Sequence, residues 1–161
     1  MEIKLLFQKK KKDPADIFYY TIFGDVAGVK RAVEEHGAEV NQFDNFGHTP
    51  LHYACRRPIF DTVKYLIEQG ASLSAKSNNK FADLPLHVAV EGGDLEVVNY
   101  LIEQGADIDA KNGIGLTPLH VAIQKEKKLI SVYLIYNHAD IHSSDMEGTT
   151  LINYFILKIF F

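Results

Sequence analysis

The chain has 161 residues, of which 47% are hydrophobic and 24% charged, enough for one domain with a substantial core. The formal net charge of −4 gives no support for sequence-independent nucleic-acid binding, which needs a broad basic face. No segment approaches the roughly 20 apolar residues that span a bilayer. Cys55 is the single cysteine, which rules out an internal disulfide and favours a reducing compartment. We therefore expect a soluble, cytoplasmic protein.

The first 12 residues differ in charge from the rest of the chain. Met1–Pro14 contains five lysines against Glu2 and Asp13. The run Lys9–Lys12 is read as part of a solvated basic tail covering residues 1–12, with a nuclear address or a contact to an anionic surface as the alternatives.

One motif returns along the chain at a nearly constant interval. "HTPLHYACRRP" from His48 recurs as "DLPLHVAVEGG" from Asp83 and "LTPLHVAIQKE" from Leu116, and a degenerate copy, "TTLINYFILKI", starts at Thr149. The intervals between the aligned helix-start positions are 35, 33 and 33 residues. A second marker, "EQGASL", "EQGADI" and "YNHADI", runs in phase with the first. Self-similarity at this period is the signature of a stacked repeat array.

Each unit reads as a pair of helices. Thr49 and Thr117 are suited to cap a helix N-terminus, and a proline follows at the first helical position, where the missing N–H costs nothing. Leucine and alanine three residues apart then share one helical face. Glycine follows the second helix, where a left-handed residue is needed; the positions are Gly37, Gly70 and Gly105.

The motifs "TPLHYA", "LPLHVA", "TPLHVA" and "GADIDAKN" resemble those of the ankyrin repeat family, over about residues 13–150. The resemblance implies an all-α ankyrin-repeat solenoid of stacked antiparallel helix pairs with outward-pointing β-hairpin-like loops. We expect a repeat domain over residues 13–161, with units at 13–43, 44–78, 79–111 and 112–144 and a partial unit at 145–161. Asp13 is expected to cap the first helix, with Pro14 at its first position.

Several residues depart from the family pattern. Leu84 replaces the capping threonine, and the loop before it is two residues longer, which predicts an irregular hairpin. Glu126 and His138 stand where glycine is expected, so a left-handed conformation there costs on the order of 1 kcal/mol per site. The last unit lacks the proline and the histidine of the motif, and this end is expected to be the less stable one.

The recurring histidines His52, His87 and His120 invite a metal or catalytic interpretation. Stacked helices lie roughly 8–10 Å apart, whereas ligands to one zinc ion must each come within about 2 Å of it. The resemblance implies instead that this histidine hydrogen-bonds around the hairpin and the helix start. Cys55 is read as an inert helix cysteine, although its neighbours Arg56 and Arg57 offered a way to lower the thiol pKa. We expect no enzyme, no metal and no cofactor.

The resemblance also implies where a partner binds, since solenoids expose a concave face and ankyrin proteins use the hairpin tips and the inner face of the first helices. The second tip position carries Phe46, Phe81 and Ile114, here called the apolar tip row. It forms either a ridge for a partner or a contact between neighbouring tips. The candidate partner-binding residues are Asn45, Phe46, His48, Arg56, Arg57, Lys80, Phe81, Asp83, Glu91, Ile114, Leu116, Gln124, Lys125 and Met146.

The function expected is that of a non-enzymatic adaptor or scaffold that binds a protein or peptide on its concave face. The alternative is a pathogen or symbiont effector or inhibitor that blocks a host protein, acting inside the host cell. The apolar "LINYFILKIFF" at the C-terminus packs on the preceding unit, associates with another copy, or marks a longer parent chain.

Overall fold

The computed structural model describes residues 13–57 and 59–154, and these contain eight helices in four consecutive pairs. The pairs are α1 (Ile17–Phe23) with α2 (Val26–Glu34), α3 (Pro50–Arg56) with α4 (Phe60–Glu68), α5 (Pro85–Gly92) with α6 (Leu95–Glu103), and α7 (Pro118–Gln124) with α8 (Lys128–Tyr136). A further helical turn covers residues 151–154. The predicted all-α repeat fold is confirmed.

The helices form two layers. The first helices contact one another in the order α1, α3, α5, α7, and the second helices in the order α2, α4, α6, α8. Leucines from both layers meet between them and are fully or almost fully buried: Leu51, Leu66, Leu86, Leu101, Leu119 and Leu134. Ala54, Ala89 and Ala122 are completely buried on the first helices, and their small side chains allow close helix approach.

The helix starts follow the sequence pattern, with one correction. Pro50, Pro85 and Pro118 each occupy the first position of their helix. The prediction that Asp13 caps the first helix was wrong, because residues 14 and 15 form a turn and α1 begins at Ile17. The carboxylate of Asp16 instead accepts a hydrogen bond from the backbone N–H of Tyr19 at 3.0 Å.

Three residues other than glycine adopt left-handed backbone conformations in the described part of the chain. Glu126 and His138 have φ values of 56° and 66°, as expected from the glycines that they replace. Ala82 has φ 46° and lies in the hairpin before α5, where Gly47 and Gly115 occupy the matching positions of the neighbouring hairpins. The longer loop is therefore irregular, as predicted.

Hairpin-like loops precede the first helices and are closed by one backbone hydrogen bond each. The N–H of Asp44 donates to the carbonyl of His48 at 2.9 Å, and that of Asn112 to the carbonyl of Leu116 at 3.0 Å. In the longer loop the closing pair is Ser77 and Asp83 at 2.8 Å, so the two extra residues lie within the tip. Neighbouring tips are also joined, because the N–H of Gly113 donates to the carbonyl of Phe81 at 2.6 Å.

The basic tail at 1–12 and the last part of the partial unit, residues 155–161, lie outside the described residues. Within the described part of the chain, no helix combines the length and the apolar character needed to cross a membrane.

Candidate partner-binding groove

A groove of about 400 Å³ runs between the hairpin tips and the inner helices α3, α5 and α7. Thirteen residues line it: His48, Arg56, Asn79, Phe81, Asp83, His87, Glu91, Asn112, Ile114, Leu116, Val121, Gln124 and Lys125. They come from three consecutive helix pairs and from the loops before them. The stacking order of the helices therefore builds this surface.

Two members of the apolar tip row, Phe81 and Ile114, line the groove. Phe46, Phe81 and Ile114 are 55%, 39% and 37% exposed, so packing between neighbouring tips does not bury them. Close approach of the tips requires glycine at position 113, since a Cβ there would lie 2.8 Å from both the Ala82 Cβ and the Phe81 carbonyl oxygen. The row is thus an exposed apolar surface on a hydrogen-bonded frame.

A row of charged side chains from three successive helix pairs lies opposite the tips. The Glu91 carboxylate lies 2.7 Å from the Lys125 ammonium and 3.5 Å from the Arg56 guanidinium. Burial opposes the ionisation of Glu91, but hydrogen bonding and charge from Lys125, with the charge of Arg56, outweigh it and lower the pKa of this carboxyl. We call Arg56, Glu91 and Lys125 the charge row; it contains two cations and one anion.

Polar contacts hold the floor of the groove in place. The side-chain amide of Asn112 donates to the Asp83 carboxylate at 2.8 Å, which joins the hairpin before α5 to the one before α7. His48 lies at the edge, where burial lowers the pKa of its imidazole despite the nearby Asp44 carboxylate. The Asn112–Asp83 contact thus links two neighbouring hairpins at the groove.

A second, smaller cavity of about 130 Å³ adjoins the groove beside α3. It is lined by Phe46, His48, His52, Tyr53 and Arg56. The Tyr53 hydroxyl donates to the Asp44 carboxylate at 2.6 Å, which fixes the phenol ring next to Phe46.

The structure brings most of the sequence-predicted residues together. Nine line the groove, namely His48, Arg56, Phe81, Asp83, Glu91, Ile114, Leu116, Gln124 and Lys125, and Phe46 lines the smaller cavity. Asn45, Lys80 and Met146 lie on exposed loops outside both cavities. Arg57 also lies outside them, because its guanidinium donates to the backbone carbonyl of Ile22 at 3.2 Å.

Sequence reasoning missed four lining residues of the groove: Asn79, His87, Asn112 and Val121. Asn112 is 6% exposed, and its side chain accepts hydrogen bonds from the N–H groups of Ile114 and Leu116. An asparagine two residues before the tip residue is typical of a turn that its side chain stabilises. This spacing is the sequence signal that could have identified Asn112 as a groove residue.

Comparison with known proteins decides the family. The model named "Ankyrin repeats (3 copies)" matches residues 3–77 and 73–145, which is most of the chain. The chain belongs to the ankyrin repeat family. Ankyrin repeats are generally protein–protein interaction modules and are typically not enzymes.

Curated relatives match parts of the chain. The chain is 37% identical over 70 residues to alpha-latrocrustotoxin-Lt1a of Latrodectus tredecimguttatus, which is 44% of this chain and 5% of the toxin. It is 42% identical over 52 residues to the ankyrin repeat protein FPV233 of fowlpox virus (strain NVSL), 30% of this chain and 10% of that protein. An acyl-CoA-binding domain-containing protein 6 homolog of Dictyostelium discoideum is 33% identical over 64 residues, 40% of this chain and 22% of that protein. The chain thus spans a small part of the relatives that it matches.

The ankyrin histidines are engaged in hydrogen bonds within the fold. The backbone N–H of Thr49 donates to Nδ1 of His52 at 3.1 Å, so Nε2 carries the proton and donates to the carbonyl of Asp83 at 3.0 Å. The imidazole therefore links one helix start to the next hairpin. Among the described residues, no group of three or more His, Cys, Asp or Glu side chains is arranged to hold a metal ion.

Cys55 is completely buried in α3. Burial raises the pKa of its thiol, which opposes the activating effect that the adjacent arginines suggested. A buried thiol of raised pKa behaves as a small packing residue.

Proposed function

We propose that this ankyrin repeat protein is a non-enzymatic adaptor or scaffold that binds a segment of a partner protein in the groove. The observation that carries the proposal is the apolar tip row, whose three side chains stay exposed beside the groove and the smaller cavity. Exposed apolar residues that line a concave surface mark interaction sites in soluble proteins.

The energetics favour apolar anchors on the partner. A few buried aromatic or arginine contacts carry most of the binding energy at protein interfaces. Here Phe46, Phe81 and Arg56 supply such contacts on the ankyrin side. Because hydrogen bonds between and within the loops already hold the tips, binding costs little ordering entropy on this side of the interface.

The charge row suggests a carboxylate on the partner. Glu91 neutralises one cation, while Arg56 and Lys125 are each 48% exposed at the side chain. A partner that presents an acidic residue next to an apolar one would therefore complete the charge row and contact Phe81 or Ile114. Charges of this kind contribute to specificity and association rate more than to affinity.

An affinity capture experiment tests the proposal. The wild-type chain and a Phe46→Ala/Phe81→Ala variant are compared as baits, together with a Phe43→Ala/Leu95→Ala control. The control removes two side chains that are 54% and 38% exposed and that lie outside the groove and the smaller cavity. A partner that is kept by the wild type and the control but lost by the tip variant supports the proposal.

The opposite pattern of partner capture would count against the proposed groove. Loss of the partner with the Phe43/Leu95 control and retention with the tip variant would place the interface elsewhere. Equal thermal unfolding midpoints of the three proteins are required, so that loss of binding is not loss of fold. We also propose that the protein is cytoplasmic, with the nucleus as the alternative, because the free thiol of Cys55 suits a reducing compartment.

A further inference from the structure

The outer face of α8 carries three large apolar side chains in contact with solvent. Leu129, Val132 and Tyr136 are 77%, 66% and 81% exposed. Their spacing of three and four residues places them on one helical face. The opposite face of α8 is occupied by Ile130 and Leu134, which are 2% and 0% exposed and pack in the core. The helix is thus apolar on both sides, as expected of a helix that is buried all round.

The matching face of the other helices is charged or polar. In α6, the residues aligned with Leu129, Val132 and Tyr136 are Glu96, Asn99 and Glu103. In α4 they are Asp61, Lys64 and Glu68. The apolar face is therefore a property of α8 alone among these three helices. The repeat pattern does not require it.

Another stacked helix pair would not cover most of this face. α6 has a neighbour on each side, α4 and α8, yet Glu96 and Glu103 remain exposed. Asn99, the equivalent of Val132, is half-buried and accepts a hydrogen bond from the Tyr133 hydroxyl of α8, so a further pair would reach Val132. Since Leu129 and Tyr136 match Glu96 and Glu103, they must be covered from outside the stack.

We propose that this face is a self-association surface and that its occupant is α8 of a second copy. Packed antiparallel about a two-fold axis, the face is complementary to itself, as an isologous contact requires. Val132 meets its counterpart at the axis, while Leu129 of each copy meets Tyr136 of the other. Apolar residues at alternating intervals of three and four form the seam of paired helices.

The charges around α8 favour this arrangement. Lys128 stands at the first position of the helix, and the exposed Asp140 lies four residues beyond its last position. Antiparallel pairing brings Lys128 of each copy towards the C-terminal end of the other helix, where the helix dipole and Asp140 are both negative. An anionic lipid surface fits less well, because the chain has a net charge of −4. The surface lies on the second-helix layer, away from the groove, and the proposal does not depend on the proposed function.

Light scattering after size-exclusion chromatography tests the proposal on the full chain at about 100 μM. The variant Leu129→Glu/Val132→Asn/Tyr136→Glu introduces the residues that α6 carries at the same positions, where the fold tolerates them. We expect twice the mass of one chain for the wild type and the mass of one chain for the variant, with equal far-UV circular dichroism. A monomeric wild type overturns the proposal, including one that binds phosphatidylserine vesicles, and so does a variant that remains dimeric.

A disulfide cross-link tests the proposed geometry with one substitution in each protein. Val132→Cys places a thiol next to the two-fold axis, whereas Lys64→Cys places one at the matching position of α4, which is also exposed. Cys55 does not compete, because it is completely buried. Mild oxidation is expected to convert most of the Val132→Cys protein, and little of the Lys64→Cys protein, to a reducible dimer. Equal cross-linking of the two variants, or none of either, overturns the antiparallel contact.

Discussion

The hydroxyl of Thr49 lies 2.7 Å from Nδ1 of His52, and the equivalent pair, Thr117 and His120, lies at 2.8 Å. Both pairs sit at a helix start and are buried. In the helix pair between them, Leu84 has no hydroxyl, and the buried Nδ1 of His87 has no hydrogen-bond partner in the structure. The threonine and the histidine of the motif are therefore one structural unit, and the middle copy has lost half of it.

The first prediction concerns this unit. Thr117→Val removes the hydroxyl and keeps the shape of the side chain, so we expect the free energy of unfolding to fall by about 1 kcal/mol. The backbone N–H of Thr117 still donates to Nδ1 of His120, which limits the loss. Urea denaturation measures the change. In a His120→Ala background the same substitution should cost clearly less, and an equal cost in both backgrounds would mean that the two side chains do not interact.

The second prediction is a loss of stability in mild acid. Burial lowers the pKa of His52 to about 4 from its ordinary 6.5, and burial also lowers the pKa of His87 and of His120. Between pH 6.5 and about 4 the unfolded chain binds protons that the folded chain does not, so the free energy of unfolding falls as the pH decreases. The contribution of His52 is fully present above pH 6.5 and is on the order of 3 kcal/mol.

Urea denaturation at pH 7, 6 and 5 measures this slope. His52→Gln retains a donor and an acceptor but binds no proton, so its slope below pH 6.5 should be smaller by about 1.4 kcal/mol per pH unit at most. A variant with the slope of the wild type would show that His52 does not titrate on unfolding.

The third prediction concerns the end of α8. His138 has φ 66° and occupies the place where Gly70 and Gly105 end the preceding second helices. His138→Gly removes the strain and should raise the free energy of unfolding by about 0.5–1 kcal/mol. Gln104→Gly is the matched control, since this residue has φ −82°, and glycine there should be destabilising. Thermal unfolding of both variants measures the effect; two shifts of the same sign would contradict the interpretation.

The fourth prediction separates binding from stability in the charge row. Arg56→Gln removes an ion pair whose two side chains are 48% and 39% exposed, and exposed pairs of this kind contribute less than about 1 kcal/mol to folding. The thermal unfolding midpoint should therefore change little, while the affinity for the groove partner falls and depends less on salt. Isothermal titration at 50 and 300 mM NaCl measures both. An unchanged affinity would show that Arg56 does not face the partner.

The sequence was sufficient to predict the repeat fold, because the threonine, proline and glycine positions each follow from backbone chemistry at helix ends. It also predicted most of the groove, since residues at equal positions of successive repeats fall into rows. It could not tell which of Arg56 and Arg57 lines the groove. Adjacent side chains point in different directions, and the rotation of α3 decides which one enters. The first helix start was misplaced for a similar reason, since Asp13 and Asp16 are both good caps and packing of Ile17 selects the second.

Mapping a bound partner by nuclear magnetic resonance tests the central claim most directly. Backbone amide shifts of the labelled chain are compared with and without the captured partner segment. The proposal predicts that the largest changes fall on the tips and the inner helices, at Arg56, Phe81, Glu91, Ile114 and Gln124. Changes confined to the outer helices α4 and α6 would contradict it, because the partner would then bind the side of the stack opposite the groove.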